Sequence, residues 1–355
     1  MKQFKLNYLL ITLAFVSLLA SCKKDKDPEF RLPTQGVYVL SQGNFNQNNS
    51  TLSYYDYRDK TTNPDIYQSS NGVKLGDTGN DVGIYGSKMY IVVNNSNRVT
   101  IADAKTAKLN KQITIAQPRF VVFYDKNAFV TSYNGTVSVI DTASLTITKT
   151  ITVGRNPEQM AISNGKLYVA NSGGLDFSYN FDKTVSVIDL TTLAETKKIT
   201  VTDNPVSLAA DSYNNIYVLS MGNYGGDATH PPIDPGMTVI NAQTDVVRSK
   251  PAVSLGYSVP ILAQGDFVYF PTADNKIAMF NAKTQTMERA NFITDATTVT
   301  TPFALAFDKL TNQIFIADAK DYSSNGSLYV YDVTGKMAYS VTTGIIPGKI
   351  AFINK

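Results

Sequence analysis

Short runs of β-branched and aromatic residues, broken by Gly, Asn, Asp and Pro, follow one another from Gln35 to the C-terminus. Many alternate between apolar and polar positions with a period of two, which is typical of β-strands, and no stretch shows a helical period of useful length. A strand led by an apolar or aromatic residue recurs, with its clearest copy at Tyr168-Val169-Ala170-Asn171. The seven copies begin at Tyr38, Tyr90, Phe129, Tyr168, Tyr217, Val268 and Phe315.

An alternating strand that ends in Asp or Asn follows each copy, as in Val137-Ser138-Val139-Ile140-Asp141. A short carboxylate or amide at that position caps backbone N–H groups in a tight turn. We therefore expect these side chains to form turns rather than a metal or acid/base site. They are Asp56, Asp103, Asp141, Asp189, Asn241, Asn281 and Asp332.

A third, apolar strand precedes six of the seven marker strands and is often introduced by Pro, as at 157–162. The seventh apolar strand lies at the C-terminus, at 347–353, whereas the first repeat lacks one. A C-terminal strand that completes the N-terminal unit closes a ring and leaves no open sheet edge. The pattern predicts an all-β seven-bladed β-propeller of four-stranded blades over residues 35–355, closed by a C-terminal inner strand in the N-terminal blade.

Loop lengths distinguish the two ends of this propeller. Repeats one, four, five and seven carry insertions between the second and third strands, and all four lie at the end where the inner strands begin. Long loops on a rigid scaffold are a common place for binding, and their amides and aromatics suit a neutral ligand such as a glycan or a corrinoid. The predicted ligand contacts in the loops are Asn44, Phe45, Phe177, Tyr179, Phe181, Asn223, Tyr224 and His230.

Alternative roles stay open for these residues. The aromatics of the fourth repeat could pack the insertion onto its own blade, and His230 could be a solvated loop residue. The first residues of the inner strands are predicted to be exposed at the mouth of the central channel, where they either contact the ligand or form a solvated polar ring. They are Asp81, Arg119, Glu158, Gln159, Ser207, Ser258 and Lys349.

Composition excludes much catalytic chemistry. With one His, one Cys and no Trp, the chain cannot build a multi-His zinc centre, a disulfide framework, a Cys/His nucleophile pair or Trp-docked quinoprotein blades. Phosphate-binding glycine motifs are missing. Carboxylates for a calcium-assisted hydrolase are available, but they form no clear cluster. We therefore predict a protein that is not an enzyme and has no catalytic residue, cofactor or metal.

The N-terminus predicts an exported, lipid-anchored protein. Residues 1–21 combine Lys2 and Lys5 with an apolar run and read as a signal peptide, and small residues directly before Cys22 resemble a bacterial lipobox. Cys22 is the predicted lipidation site, and residues 22–34 form a charged tether. Removing residues 1–21, with two Lys and no acid, lowers the net charge from +3 to +1. A near-neutral chain has no basic surface for binding nucleic acid or an anionic membrane. We therefore expect contact with the membrane only through the lipid anchor.

Several repeats resemble a known family. The run 168–171, the strand at 185–189 and Asn204-Pro205 resemble the YVTN propellers, which are often called surface-layer proteins. The stretches 41–45 and 85–90 resemble a branch of Bacteroidetes lipoproteins that includes cobalamin-capturing surface proteins working with a TonB-dependent transporter.

The resemblance implies a location at the outer membrane, with the cell surface favoured and a periplasm-facing orientation left open. It also implies capture of a corrinoid or related ligand for hand-over to a transporter. The alternatives are a surface-layer or adhesion protein that binds protein or polysaccharide, and a channel-centred hydrolase or lyase.

Overall fold

Backbone hydrogen bonds join the strands into seven four-stranded antiparallel sheets, which confirms the predicted seven-bladed β-propeller. The computed structural model describes residues 34–176, 179–225, 228–256 and 260–354. Blades 1 to 3 contain β1 (Thr34–Ser41), β2 (Thr51–Asp56), β3 (Thr62–Asn63); β4 (Gly79–Tyr85), β5 (Lys88–Val93), β6 (Arg98–Asp103), β7 (Leu109–Thr114); and β8 (Pro118–Tyr124), β9 (Asn127–Ser132), β10 (Thr136–Asp141), β11 (Thr146–Thr152).

Blades 4 to 7 repeat this arrangement along the chain. Blades 4 and 5 contain β12 (Pro157–Ser163), β13 (Lys166–Asn171), β14 (Thr184–Asp189), β15 (Ala194–Thr200); and β16 (Pro205–Ala210), β17 (Asn215–Ser220), β18 (Gly236–Asn241), β19 (Val246–Ser249). Blades 6 and 7 contain β20 (Leu262–Gln264), β21 (Phe267–Pro271), β22 (Ile277–Asn281), β23 (Thr286–Arg289); and β24 (Pro302–Asp308), β25 (Gln313–Asp318), β26 (Asn325–Asp332), β27 (Met337–Ile345).

The ring closes in blade 1 as the sequence predicted. The last strand, β28 (Pro347–Asn354), pairs antiparallel with β1, and Tyr38 lies opposite Ala351. The order of this sheet is β28-β1-β2-β3, so the C-terminal strand is its inner strand. Inner strands of successive blades contact one another around the ring. Blade 1 therefore has four strands, like the other six blades.

Packing between blades explains the aromatic lead of the marker strand. Tyr38 of blade 1 is buried, and its hydroxyl donates to the Ala104 carbonyl in blade 2 at 2.9 Å. Tyr168 of blade 4 reaches blade 5 in the same way, donating to the carbonyl of Ala242 at 3.1 Å and to Asp245 Oδ1 at 2.6 Å. The ring fills the space between two blades while the hydroxyl satisfies a buried acceptor.

The Asp and Asn residues at the ends of the third strands form turns, as predicted. Asp141 Oδ1 accepts the backbone N–H groups of Ala143 and Ser144 at 3.2 and 2.7 Å. The described residues contain no group of three or more His, Cys, Asp or Glu side chains that could hold a metal ion. Two backbone N–H groups likewise bind the side chains of Asp56, Asp103, Asp189, Asn241, Asn281 and Asp332.

One short helix, α1 (Ile66–Asn71), lies between β3 and β4 and was not expected from the sequence, because six residues carry too little periodicity. Asp65 caps it by accepting the Gln68 N–H at 3.1 Å, and Tyr67 is its buried residue. The helix packs against β2, beside an outer strand of only two residues. Among the described residues no helix has the length and hydrophobicity needed to cross a bilayer.

Candidate functional site

A cavity of about 250 Å³ lies where the inner strands begin. We call this the long-loop end of the propeller, because the loops after β1, β13 and β17 also lie there, and we call the opposite end the short-turn end. All seven blades contribute to the lining. The lining residues are Gln42, Asn80, Arg119, Phe120, Glu158, Gln159, Val206, Ser207, Met221, Pro260, Ile261, Phe303, Ala304, Leu305, Gly348 and Lys349.

Arg119 and Glu158 form an ion pair in this cavity. Arg119 Nη2 and Nε each lie 2.9 Å from Glu158 Oε2, and the Tyr133 hydroxyl donates to Glu158 Oε1 at 2.5 Å. The guanidinium carbon also lies 4.6 Å from the centroid of the Tyr133 ring. Burial acts to lower the pKa of Arg119, but Glu158, Tyr133 and Asp81 together outweigh it and the pKa is raised. Both charges are therefore already satisfied within the protein.

Lys349 and Asp81 form a second ion pair, with Lys349 Nζ 3.0 Å from Asp81 Oδ1. The other carboxylate oxygen of Asp81 accepts the Val121 N–H at 2.8 Å. The prediction that the strand starts are exposed is wrong for Asp81, Glu158 and Ser207, which are 1%, 6% and 7% exposed. Burial is tolerated because each carboxylate has a cationic partner and further donors.

The neutral polar groups of the cavity are less engaged than the charged ones. Gln159 accepts the Leu208 N–H through Oε1 at 3.1 Å, and its Nε2 has no partner among the described residues. Within those residues the side chains of Gln42 and Ser207 also make no hydrogen bond. Asn80 donates to the Arg119 carbonyl at 2.5 Å, while its buried Oδ1 has no partner there. The hydrogen-bonding groups that the cavity offers to a ligand are therefore mainly amides and hydroxyls.

The two sides of the cavity differ in chemistry. Apart from Phe120, blades 1 to 4 supply polar or glycine positions. Blades 5 to 7 supply an apolar wall, in which Ser207 is the single polar residue of the described lining. An apolar wall facing a few placed polar groups is the usual composition of a small-molecule site. The apolar wall comprises Val206, Met221, Pro260, Ile261, Phe303, Ala304 and Leu305.

The loop after β1 is held by its own amides. Asn44 donates through Nδ2 to the Tyr322 carbonyl of blade 7 at 3.0 Å, and its backbone N–H donates to Asn49 Oδ1 at 2.8 Å. Phe45 is 65% exposed. Asn44 therefore connects two blades, while its neighbour presents an aromatic ring to the solvent.

The loops after β13 and β17 are linked to each other. Asn223 is buried and donates through Nδ2 to the Tyr179 carbonyl at 2.8 Å. Tyr224 is 54% exposed, whereas Phe181 is half-buried. His230 shares a 2.9 Å hydrogen bond with the Thr229 hydroxyl through Nδ1, and its ring lies 6.5 Å from that of Tyr179. These predicted contacts thus divide into inter-blade linkers and exposed rings.

Three predicted positions, Cys22, Phe177 and Ser258, lie outside the described residues. The signal peptide and the tether at 1–33 also lie outside them. These predictions therefore stay predictions.

Sequence reasoning missed the apolar wall. Pro260 and Ile261 lie directly before β20, and only polar residues were predicted as ligand contacts at the starts of the inner strands. In repeat seven the extra residues partly lengthen β26 instead of extending a loop. The available signal was the apolar residues directly after the prolines that start the inner strands, such as Phe303.

Fold and cavity together define a seven-bladed β-propeller with a small amphipathic site at one mouth of its channel. The chain belongs to the DUF5074 family, which is described as a domain of unknown function and matches residues 35–344. No curated protein matches the chain.

Solved structures of other proteins share the fold. A quinoprotein alcohol dehydrogenase-like protein from Bacteroides thetaiotaomicron is 18% identical, with a TM-score of 0.66 over 91% of this chain and 79% of its own. Hydrazine synthase from Kuenenia stuttgartiensis is 16% identical, with a TM-score of 0.64 over 77% of this chain and 89% of its own. At these identities the likeness concerns the fold alone.

Proposed function

We propose that the protein captures a neutral ligand at the long-loop end, with one ligand group inserted into the channel cavity. The observation that carries this proposal is the difference between the charged and the neutral polar groups of the cavity. Its charged groups are already paired, whereas its amide and hydroxyl groups are largely unengaged and face an apolar wall.

The pairing of the charged residues in the cavity favours a neutral ligand. Arg119 would have to break a buried ion pair before it could bind a carboxylate or a phosphate, and breaking such a pair costs several kcal/mol. Lys349 is more exposed, but its charge is already balanced by Asp81. A hydroxyl or carboxamide can bind Ser207 and Gln159 without that cost.

Size supports partial insertion. A volume of about 250 Å³ lies below the roughly 300–1,000 Å³ of most ligand pockets. A larger ligand would place one polar substituent in the cavity and rest its remaining surface on the loops.

Within this proposal the ligand to test first is a corrinoid, whose rim carries several carboxamides. The resemblance of residues 41–45 and 85–90 to cobalamin-capturing lipoproteins supports that choice, as well as a lipid anchor at Cys22, outer-membrane location and hand-over to a TonB-dependent transporter. The exposed rings of Phe45 and Tyr224 also favour the second candidate, binding of a glycan in adhesion or in a surface layer.

The test is calorimetric titration of the purified protein with cyanocobalamin. We expect submicromolar affinity, and we expect Ser207→Ala to weaken it about ten-fold because a hydrogen bond to the inserted group is lost. Tyr124→Ala, which removes an exposed ring at the short-turn end, is the matched control and should leave affinity unchanged. Absence of heat at high micromolar ligand, in protein with an unaltered thermal melt, overturns corrinoid capture; the same titration with neutral oligosaccharides then tests the glycan candidate.

A further inference from the structure

A five-residue motif occurs twice at the long-loop end. Ser41-Gln42-Gly43-Asn44-Phe45 leaves β1 of blade 1, and Ser220-Met221-Gly222-Asn223-Tyr224 leaves β17 of blade 5. Both copies follow the second strand of their blade, and the second residue of each copy lines the channel cavity.

Both copies adopt the same backbone path. Gly43 and Gly222 have φ of +71° and +69°, in the left-handed region. A Cβ at either position would collide with the loop, with Asn49 in the first copy and with the Ile233 carbonyl in the second. Only glycine fits this turn without strain, so the motif fixes where the following Asn and aromatic residue emerge.

Each Asn then fixes a tyrosine on the preceding blade. Asn44 holds the carbonyl of Tyr322 in blade 7, and Asn223 holds the carbonyl of Tyr179 in blade 4. Both tyrosines have positive φ, +61° and +62°, which is uncommon for a bulky residue. The hydrogen bond from the next blade helps to hold each tyrosine in this conformation.

The result is two pairs of exposed rings, which we name the first platform (Phe45 and Tyr322) and the second platform (Tyr224 and Tyr179). Phe45 and Tyr224, at 65% and 54%, are the most exposed aromatic side chains of the described part of the chain. Tyr322 and Tyr179 are 43% and 37% exposed. Aromatic rings exposed at one end of a rigid scaffold offer faces on which a ligand can stack.

The platforms lie on opposite sides of the cavity. The first belongs to the junction of blades 7 and 1, and the second to the junction of blades 4 and 5. In a ring of seven blades these junctions are as far apart as the ring allows. A ligand centred over the cavity therefore has one platform on either side.

We propose that the captured ligand bridges the channel mouth and contacts both platforms at once. This inference rests on the proposed function and adds the class of ligand: a neutral molecule with ring faces on opposite sides of a hydrogen-bonding centre. Corrinoids and oligosaccharides of several units share this chemistry, whereas a single sugar or amino acid is too small to reach both platforms.

The absence of Trp allows a direct test. Phe45→Trp and Tyr224→Trp each place one Trp reporter on one platform, and Tyr124→Trp places a control reporter at the short-turn end. Accessibility is measured as the rate constant for acrylamide quenching, taken from fluorescence lifetimes because bound cyanocobalamin absorbs Trp emission. The probes are cyanocobalamin and, in a parallel arm, neutral maltohexaose and xylohexaose.

A bridging ligand should lower the quenching rate constant several-fold at both platform reporters, at the same probe concentration, and leave the control unchanged. Phe45→Ala and Tyr224→Ala should each weaken that probe about ten-fold. Binding that protects only one platform, or neither, overturns bridging while leaving capture intact. Absence of binding by every probe to folded protein overturns the proposed function and bridging together, and the arm that binds identifies corrinoid or oligosaccharide.

Discussion

The two ends of the propeller are made by the same strands but treat their polar groups in opposite ways. At the short-turn end, seven equivalent Asp or Asn side chains each bind backbone N–H groups of their own turn, as Asp189 does with Thr191 and Thr192. At the long-loop end the blades differ from one another, and side chains such as Asn44 and Asn223 cross to a neighbouring blade. The side chains at the short-turn end bond within their own turn, whereas those at the long-loop end bond between blades.

This difference separates scaffold from function. A turn that satisfies its own donors can be copied seven times without reference to its neighbours. The cavity at the other end is lined by different sets of side chains from the seven blades, so the seven-fold repetition is lost there. Changes at the short-turn end should therefore affect stability alone, whereas changes at the long-loop end should affect binding, and stability as well where ion pairs are involved.

The largest expected effect is the loss of the buried ion pair at the long-loop end. Glu158→Leu leaves Arg119, whose side chain is 17% exposed, without its counter-charge and should lower the free energy of unfolding by about 3 kcal/mol. The double variant Arg119→Met/Glu158→Leu should be more stable than Glu158→Leu alone, because no charge is then left buried. Urea unfolding of the two single variants and of the double variant measures these free energies. A double variant that loses as much stability as Arg119→Met and Glu158→Leu added together would contradict this explanation.

The next effect concerns the glycine turn of the duplicated motif. Gly222→Ala should cost about 2 kcal/mol, because an L-residue is strained at φ +69° and its Cβ meets the Ile233 carbonyl. Gly72→Ala is the matched control: Gly72 has φ of +70° but open space around its Cβ position, so about 1 kcal/mol is expected. Equal losses in thermal and urea unfolding would show that the contact with Ile233 is unimportant.

A smaller effect separates the two ends directly. Asn241→Ala removes the acceptor for the N–H groups of Gln243 and Thr244 and should cost about 1 kcal/mol without changing affinity for a bound probe. Ser207→Ala should do the reverse, with affinity reduced and stability nearly unchanged. Titration and unfolding of both variants give the comparison, and a loss of affinity in Asn241→Ala would break the separation.

Acid should weaken the short-turn end in a defined window. The Ser144 backbone N–H is the main cause that holds the pKa of Asp141 below its usual 3.8, and the Thr192 N–H does the same for Asp189. Because the folded pKa is depressed, this contribution is present above the unfolded pKa and is lost as pH falls through the folded value. Asp141→Asn, which copies the natural Asn281, should lie below wild type in melting temperature at pH 7 and converge with it below pH 4. A difference that is constant with pH would contradict this.

The smallest effect is expected from salt. Since the charged groups of the cavity are paired with one another, a neutral ligand should bind with an affinity that changes less than about two-fold between roughly 50 and 500 mM NaCl. Titrations across this range check it, and a steep loss of affinity with salt would indicate an anionic ligand.

The repeating parts of the molecule could be predicted from sequence, and the shared parts could not. The inner strand of blade 1 and the turn at Asp141 follow from local patterns that recur with every blade. The pairing of Arg119 with Glu158, and of Lys349 with Asp81, joins strands of different blades, and no local pattern specifies it. Predicting these residues as members of a polar ring was possible, but predicting their burial was not, because it depends on which cation faces which carboxylate.

The most direct test of ligand capture at the long-loop end is hydrogen exchange of the purified protein with and without the probe that binds. We expect slower exchange at 42–45 and 221–225 and at the starts of β8, β12 and β16, with the short turns at 104–108 and 142–145 unchanged. Protection confined to the short turns, or no protection at saturating probe, would contradict capture at this end.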